Sequence, residues 1–127
     1  MKLLLVNFSD RDLPELKISQ EFLHDSALSI QQASEKFMLY EYDCLVIKID
    51  KIETECYDWL RQLSENNRNE GLILLSSNDA LEYKLSSFEL GVDDYLVLPM
   101  HPEEIIARIK SVTRRKKIPE QLKDIYW

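Results

Sequence analysis

Residues 72–115 read LILLSSNDALEYKLSSFELGVDDYLVLPMHPEEIIARIKSVTRR. The apolar run Leu72–Leu75 is typical of a strand that is buried on both faces of a parallel sheet. The polar residues 77–79 supply side-chain acceptors for a helix N-terminus, and Gly91 can adopt the left-handed conformation that ends that helix. Pro102 suits the first turn of a second helix, which ends in basic residues. The stretch therefore predicts strand, helix, strand and helix in that order.

The rest of the chain repeats this alternation. Apolar runs at Lys2–Val6 and Cys44–Ile47 predict two more buried strands. Ala27–Ile30 is a weaker candidate strand, and Asp94–Leu98 is the fifth. Strands that alternate with helices through short connections predict an α/β fold: a five-stranded parallel sheet with helices on both faces and right-handed crossovers. The predicted helices cover residues 13–23, 31–40, 56–65, 79–90 and 102–115.

Length, charge and cysteine content limit the function classes. At 127 residues and 45% hydrophobic content, the chain suits one domain. Its apolar runs are far shorter than the roughly 20 residues of a membrane span. Cys44 and Cys56 have no C-x-x-C spacing, so we expect a reduced, cytoplasmic setting without a disulfide or metal site. The net charge of −7 opposes contact with nucleic acid, so DNA binding would require a further domain.

The second half carries a long combined motif. It consists of G-x-D-D-Y-L from Gly91, a proline at position 99 and the helix that begins PEEIIARI at Pro102. This combination is similar to bacterial response-regulator receivers, especially those that precede a winged-helix DNA-binding domain. The resemblance implies a (βα)5 flavodoxin-like receiver fold over residues 1–115, in a two-component regulator of transcription. Residues 116–127 turn polar and then aromatic, as in a linker or the start of a following domain.

The same resemblance implies that the phosphorylation chemistry is lost. Receivers place two acidic Mg²⁺ ligands after the first strand, the phosphoacceptor aspartate at the end of the third, and a lysine before the proline. A hard cation needs carboxylate oxygens, and an ammonium cannot form an acyl phosphate. We therefore expect no metal, no cofactor, no enzymatic activity and no dependence on phosphorylation. The positions that match this pocket are Asn7, Phe8, Lys48 and Leu98, with Ser76 as the switch hydroxyl and Tyr95 as the switch aromatic residue.

Lys48 has more than one interpretation. It could be a solvated lysine at a strand end, paired with Asp50 or Glu53, or its amine could fill the phosphoryl space and fix one conformer. Asp50 and Glu53 lie in the loop beyond the strand, which makes them poor substitutes for the phosphoacceptor. An enzyme that uses Lys48 as an amine nucleophile needs a nearby base, and no acid or histidine aligns there.

The resemblance also implies a homodimer through the fourth helix, fifth strand and fifth helix. The implied pairs across a two-fold axis join Lys84 to Glu104, Asp94 to Arg108, and Asp93 to Arg115. Exposed ion pairs contribute about 0.2–1 kcal/mol each, so the apolar centre would carry the affinity. Two alternatives stay open, an ordinary solvated face and a stand-alone adaptor that binds another signalling protein. The apolar centre corresponds to Leu85, Phe88 and Ile106.

Overall fold

The computed structural model describes residues 1–50, 54–66 and 69–116. Its five described strands form one parallel sheet in the order β2-β1-β3-β4-β5, which confirms the predicted fold class. The order reverses between β1 and β3, and functional groups of such sheets gather at the carboxyl ends near this point. The strands are β1 (Lys2–Val6), β2 (Leu23–Ala27), β3 (Cys44–Lys48), β4 (Gly71–Ser76) and β5 (Asp94–Val97).

Helices connect the strands and cover both faces of the sheet. The predicted fourth and fifth helices correspond to α5 and α6, because the first crossover contains two short helices in place of one. The last helix ends at Lys116, and residues 117–127 lie outside the described part, so the predicted linker stays a prediction. The described helices are α1 (Asp12–Leu16), α2 (Ile18–Glu21), α3 (Ile30–Leu39), α4 (Thr54–Glu65), α5 (Leu81–Glu89) and α6 (Pro102–Lys116).

The first crossover differs from the sequence prediction. The single helix expected over residues 13–23 is wrong, since Lys17 adopts a left-handed conformation at φ 57° and separates α1 from α2. The second strand also lies four residues earlier than expected, at Leu23–Ala27. It is an edge strand that buries only Ala27, so no apolar run marks it in the sequence.

The core has two layers, one on each face of the sheet. In β1, Leu4 and Val6 join the layer beneath α3 and α4, whereas Leu3 and Leu5 join the layer beneath α6. This alternation is the period of two expected for a strand that is buried on both sides. None of the helices in the described ranges is long and apolar enough to cross a membrane.

A glycine lets α6 pack closely on the sheet. A Cβ atom built on Gly71, the first residue of β4, would lie 2.8 Å from Val112 Cγ1 and 3.1 Å from Cys44 Sγ. Both distances are tighter than ordinary van der Waals contact, so a larger residue would push the helix away. Gly71 therefore allows Val112 of α6 to pack closely on β4.

Candidate functional site

The predicted pocket residues gather at the carboxyl edge of the sheet. Lys48 is the last residue of β3 and is paired in register with Leu75 of β4, next to Ser76. Asn7 directly follows β1, the other neighbour of β3. Because β1, β3 and β4 are adjacent and parallel, their carboxyl ends lie together. The structure thus brings Asn7, Lys48 and Ser76 to one edge.

The positions that match the acidic pair carry no carboxylate. Asn7 adopts a left-handed conformation at φ 65°, and its N–H donates to the carbonyl oxygen of Ala27 at 2.9 Å. Asparagine tolerates this conformation better than most residues. Phe8 is only 4% exposed and packs in the layer beneath α6. Leu98, before Pro99, is partly buried against the same layer. Phe8 and Leu98 therefore contribute to the core.

Lys48 forms an ion pair with Asp12, which is not among the pocket residues predicted from the sequence. Its Nζ lies 2.7 Å from Asp12 Oδ1, and the side chains are 31% and 15% exposed. The expected pairing with Asp50 is therefore replaced by one with Asp12, because α1 brings that carboxylate to the end of β3. Glu53, the other expected partner, lies outside the described residues.

Asp12 is held in place at the start of α1. Its Oδ2 accepts a hydrogen bond from the N–H of Ser9 at 2.9 Å, and Ser9 Oγ accepts one from the N–H of Asp12 at 3.1 Å. This is the reciprocal pattern of a capping box. Burial opposes ionisation of Asp12, but hydrogen bonds from Lys48 and Ser9 outweigh it, so the pKa of this carboxyl lies below its usual range. The S-x-x-D spacing was the sequence signal that could have identified Asp12.

Asp50 lies in the pocket next to Ser77, and not against Lys48. Its Oδ1 accepts hydrogen bonds from the Ser77 N–H at 2.9 Å and the Ser77 hydroxyl at 2.7 Å. The Ser76 hydroxyl is farther away, at 3.4 Å. The side-chain and backbone hydrogen bonds from Ser77 lower the pKa of Asp50, with smaller contributions from Ser76 and the charge of Lys48. A carboxylate thus lies beside the switch hydroxyl and is bound mainly by Ser77.

The switch residues form a connected network. Ser76 is 1% exposed, and its Oγ accepts a hydrogen bond from the N–H of Asn78 at 3.0 Å. Tyr95 donates its hydroxyl hydrogen to the carbonyl oxygen of Asn78 at 2.7 Å, while its ring packs against the core beneath α4. The N–H of Ala80, just before α5, donates to Asn78 Oδ1 at 3.0 Å. The loop from β4 to α5 is therefore held by hydrogen bonds of Asn78 to Ser76, Ala80 and Tyr95.

These contacts decide what the pocket can do chemically. Lys48 supplies one positive charge, and Asp12 and Asp50 supply two negative charges. An incoming phosphoryl group would meet the Asp50 carboxylate where it needs hydrogen-bond donors. In the described ranges, no group of three His, Cys, Asp or Glu residues is placed to hold a metal ion.

The predicted dimer face has an exposed apolar centre beside a groove. Leu85 and Phe88 on α5 are 54% and 47% exposed, whereas Ile106 is partly buried against the core. The groove between α5, β5 and α6 has a volume of about 440 Å³. Ala107 and Ser111 also line it and were not predicted. The predicted residues that line it are Phe88, Asp93, Asp94, Glu104, Arg108 and Arg115.

Several charges of this face already pair within the chain. Arg108 Nη1 lies 3.3 Å from Asp94 Oδ2, and Lys116 Nζ lies 3.1 Å from Asp93 Oδ1. Lys84 pairs with Asp79. In a single chain the structure therefore joins Asp94 to Arg108, whereas Lys84 and Asp93 pair with Asp79 and Lys116. All six charges expected across a two-fold axis stay predictions in that role.

Known proteins with a similar chain or fold identify the class. A probable transcriptional regulatory protein of Sinorhizobium fredii, y4xI, is 33% identical over 94 residues, which cover 74% of this chain and 42% of that protein. The receiver domain of the Francisella response regulator 1452 has a TM-score of 0.77 and 26% identity, and the match covers 91% of this chain and 98% of that domain. The chain is a response-regulator receiver domain.

A second relative supports the same assignment for the receiver. The cell cycle transcriptional regulator CtrA of Caulobacter vibrioides is 34% identical over 79 residues, which cover 62% of this chain and 34% of that protein. The chain thus matches less than half the length of either relative. No protein-family profile matches it. The receiver class and fold agree with the resemblance seen in the sequence.

Proposed function

We propose that this receiver domain works without phosphorylation and mediates homodimerisation of a transcription regulator. In this proposal it has no enzymatic activity and needs no metal, and DNA is bound only through another domain. The cytoplasmic setting expected from the sequence fits this role. The names of the two relatives, both transcriptional regulators, support the regulatory part.

The observation that carries the proposal is the ion pair of Lys48 with Asp12. An ammonium group stands at the end of β3, where the resemblance implies a phosphoacceptor aspartate, and a carboxylate holds it at 2.7 Å. Lysine cannot form an acyl phosphate, and the neighbouring positions Asn7 and Phe8 offer no charged ligands to Mg²⁺. The expected position therefore holds no phosphoacceptor, and the two positions after β1 hold no charged ligand for Mg²⁺.

The face formed by α5, β5 and α6 supports the dimer. Leu85 and Phe88 are large apolar side chains that are about half exposed next to the groove. Their burial against a second copy would supply affinity, and the surrounding charges would set the register. Arg108 and Asp94 lie 3.3 Å apart within one chain, and in the dimer we expect each to pair with the other residue across the two-fold axis instead.

The decisive experiment combines chemical activation with a measurement of mass. Purified protein is treated with Mg²⁺ and either acetyl phosphate or beryllofluoride, and its dimer dissociation constant is measured by light scattering and sedimentation equilibrium. We expect the same dissociation constant with and without these agents, and no phosphorylated species by intact mass. A shift in dissociation constant would refute phosphorylation independence, and a monomer at all concentrations would refute the dimer.

A Lys48→Asp variant serves as the matched chemical control. It restores a carboxylate at the end of β3, but the acidic pair after β1 stays absent. We therefore expect its response to acetyl phosphate to remain nil as well. A response in this variant alone would show that the rest of the pocket is still competent, which would assign phosphorylation independence to Lys48 itself.

A further inference from the structure

Asp50 has a role that neither the resemblance nor the proposed function assigns. We propose that its carboxylate acts as an internal anion in the place of a phosphoryl group. In this role it holds the segment 77–80 and Tyr95 in one arrangement, and through them the face formed by α5, β5 and α6. The inference rests on the proposed function, because a pocket that accepted phosphate would not need a resident anion.

The donors around Asp50 are of the kind that bind phosphate. One oxygen, Oδ1, accepts from a backbone N–H at 2.9 Å and from a hydroxyl at 2.7 Å, both belonging to Ser77. The Ser76 hydroxyl faces the same oxygen at 3.4 Å. Backbone amides and hydroxyls at a strand-to-helix turn commonly hold anions. Lys48 adds positive charge nearby, although its direct hydrogen bond goes to Asp12.

A continuous set of contacts leads from Asp50 to the dimer face. Ser77 is followed by Asn78, whose backbone N–H donates to Ser76 Oγ at 3.0 Å and whose carbonyl oxygen accepts from the Tyr95 hydroxyl at 2.7 Å. The Asn78 side chain accepts from the N–H of Ala80, which precedes α5. Asp50 therefore constrains the start of α5 and the side chain of Tyr95 at once.

The constraint reaches residues that line the groove. Asp94, next to Tyr95 in β5, pairs with Arg108 of α6 at 3.3 Å. Phe88 lies on α5, the helix that follows the fastened segment. If the segment 77–80 were released, α5 and the side chain of Tyr95 in β5 would be held less firmly, and both elements border the groove. The arrangement needs no added phosphate, since the anion belongs to the chain.

The test removes the anion without touching the core. Asp50 is exposed, so Asp50→Ala should fold, and circular dichroism verifies this. Amide hydrogen exchange by NMR should be about ten-fold faster at Asn78 and Ala80, and the dimer dissociation constant should rise about five-fold. Asp50→Asn, which keeps an acceptor but not the charge, should give a smaller change. Asp58→Ala, the same substitution on an exposed position of α4, should change neither measurement.

Chemical rescue makes the test specific for an anion. Added sodium acetate should slow the exchange in Asp50→Ala towards the wild-type rate and tighten its dimer, whereas sodium chloride at equal ionic strength should not. Wild-type exchange rates in Asp50→Ala would overturn the proposal. Faster exchange with an unchanged dissociation constant would overturn the connection to the dimer face.

The outcomes separate this inference from the proposed function. A wild-type protein that responds to beryllofluoride refutes phosphorylation independence, whatever Asp50→Ala does. A wild-type protein that ignores beryllofluoride, together with an Asp50→Ala variant that behaves as wild type, refutes the internal anion alone. If the wild type is a monomer, the dimer is refuted, and the exchange rates and acetate rescue still decide whether Asp50 holds the segment.

Discussion

The carboxyl edge of the sheet and the face of α5, β5 and α6 both pair charges within the chain, but the face also exposes large apolar side chains. At the edge, Asp12 holds Lys48 at 2.7 Å and Ser77 holds Asp50 at 2.7 Å, so partners from the same chain meet each charge. On the face, Leu85 and Phe88 stand about half exposed beside a charged groove. At the edge, an added anion would meet the carboxylates of Asp12 and Asp50, whereas the face offers exposed apolar side chains for the proposed dimer.

The largest effect is expected on the proposed dimer, when a charge in the groove is reversed. Arg108→Glu removes the pair with Asp94 and adds an acid beside Asp93 and Glu104. The dimer dissociation constant should rise at least ten-fold, which is about 1.4 kcal/mol, because like charges would face each other. Sedimentation equilibrium measures it.

Two companion variants sharpen this result. Arg114→Glu makes the same charge change on an exposed position of α6 outside the groove, and should leave the dimer almost unchanged. The double variant Asp94→Arg with Arg108→Glu restores opposite charges and should recover most of the affinity. A dimer of unchanged affinity in Arg108→Glu would remove this face from the proposal.

The second effect is expected on folding stability, at the carboxyl edge of the sheet. Lys48→Ala leaves the Asp12 carboxylate, 15% exposed, without its ammonium partner and should lower the free energy of unfolding by about 1–2 kcal/mol. Urea denaturation measures this loss. Lys110→Ala is the control, because its pair with Glu21 is longer at 3.7 Å and about half exposed, and should cost less than about 0.5 kcal/mol.

The pH dependence of stability in Lys48→Ala gives an independent measurement of the Lys48–Asp12 ion pair. The pKa of Asp12 is lowered in the folded chain from an ordinary value of 3.8. The stability that the ionised Asp12 carboxylate contributes is therefore present above about pH 4. It is lost as the pH falls through the lowered pKa. Wild type should lose stability more steeply than Lys48→Ala in this acid range. Parallel curves would mean that the ion pair contributes nothing to folding.

The smallest effect is expected at a site that belongs to neither region. Tyr42, 5% exposed, donates its hydroxyl hydrogen to Asp25 Oδ2 at 2.7 Å, and Lys2 lies 3.2 Å from the same oxygen. Tyr42→Phe should cost about 1 kcal/mol of folding free energy and leave the dimer unchanged. Thermal unfolding tests this, and the double variant with Asp25→Asn should be less destabilised than the sum of the single variants.

Tyr42 should also make folding stability depend on pH in the alkaline range. Burial and the hydrogen bond to Asp25 raise the pKa of Tyr42 above its ordinary value of 10.0. The unfolded chain then releases this proton first, so the stability that it contributes is intact below about pH 10 and falls as the pH rises beyond it. The loss should be absent in Tyr42→Phe. An equal alkaline loss in both proteins would assign it to other groups.

The central strands were predictable, whereas the first crossover was not. Continuous apolar runs such as Leu72–Leu75 are possible only where both faces of a strand are covered, so they located β1, β3 and β4. The edge strand β2 buries only Ala27 and therefore has no such run. Lys17 ends α1 in a left-handed conformation that lysine seldom adopts, and no sequence pattern indicates it.

For the candidate site, sequence by itself determined some of the chemical groups at the carboxyl edge, but not Asp12. It placed Asn7, Lys48 and Ser76 at the ends of predicted strands, because apolar runs mark where those strands stop. Only the tertiary structure decided which group meets which. Asp12 reaches Lys48 across 36 positions of sequence, and Ser77 reaches Asp50 across 27. Such pairs depend on how a loop and a short helix lie over the sheet, and that geometry is set by packing of the whole domain.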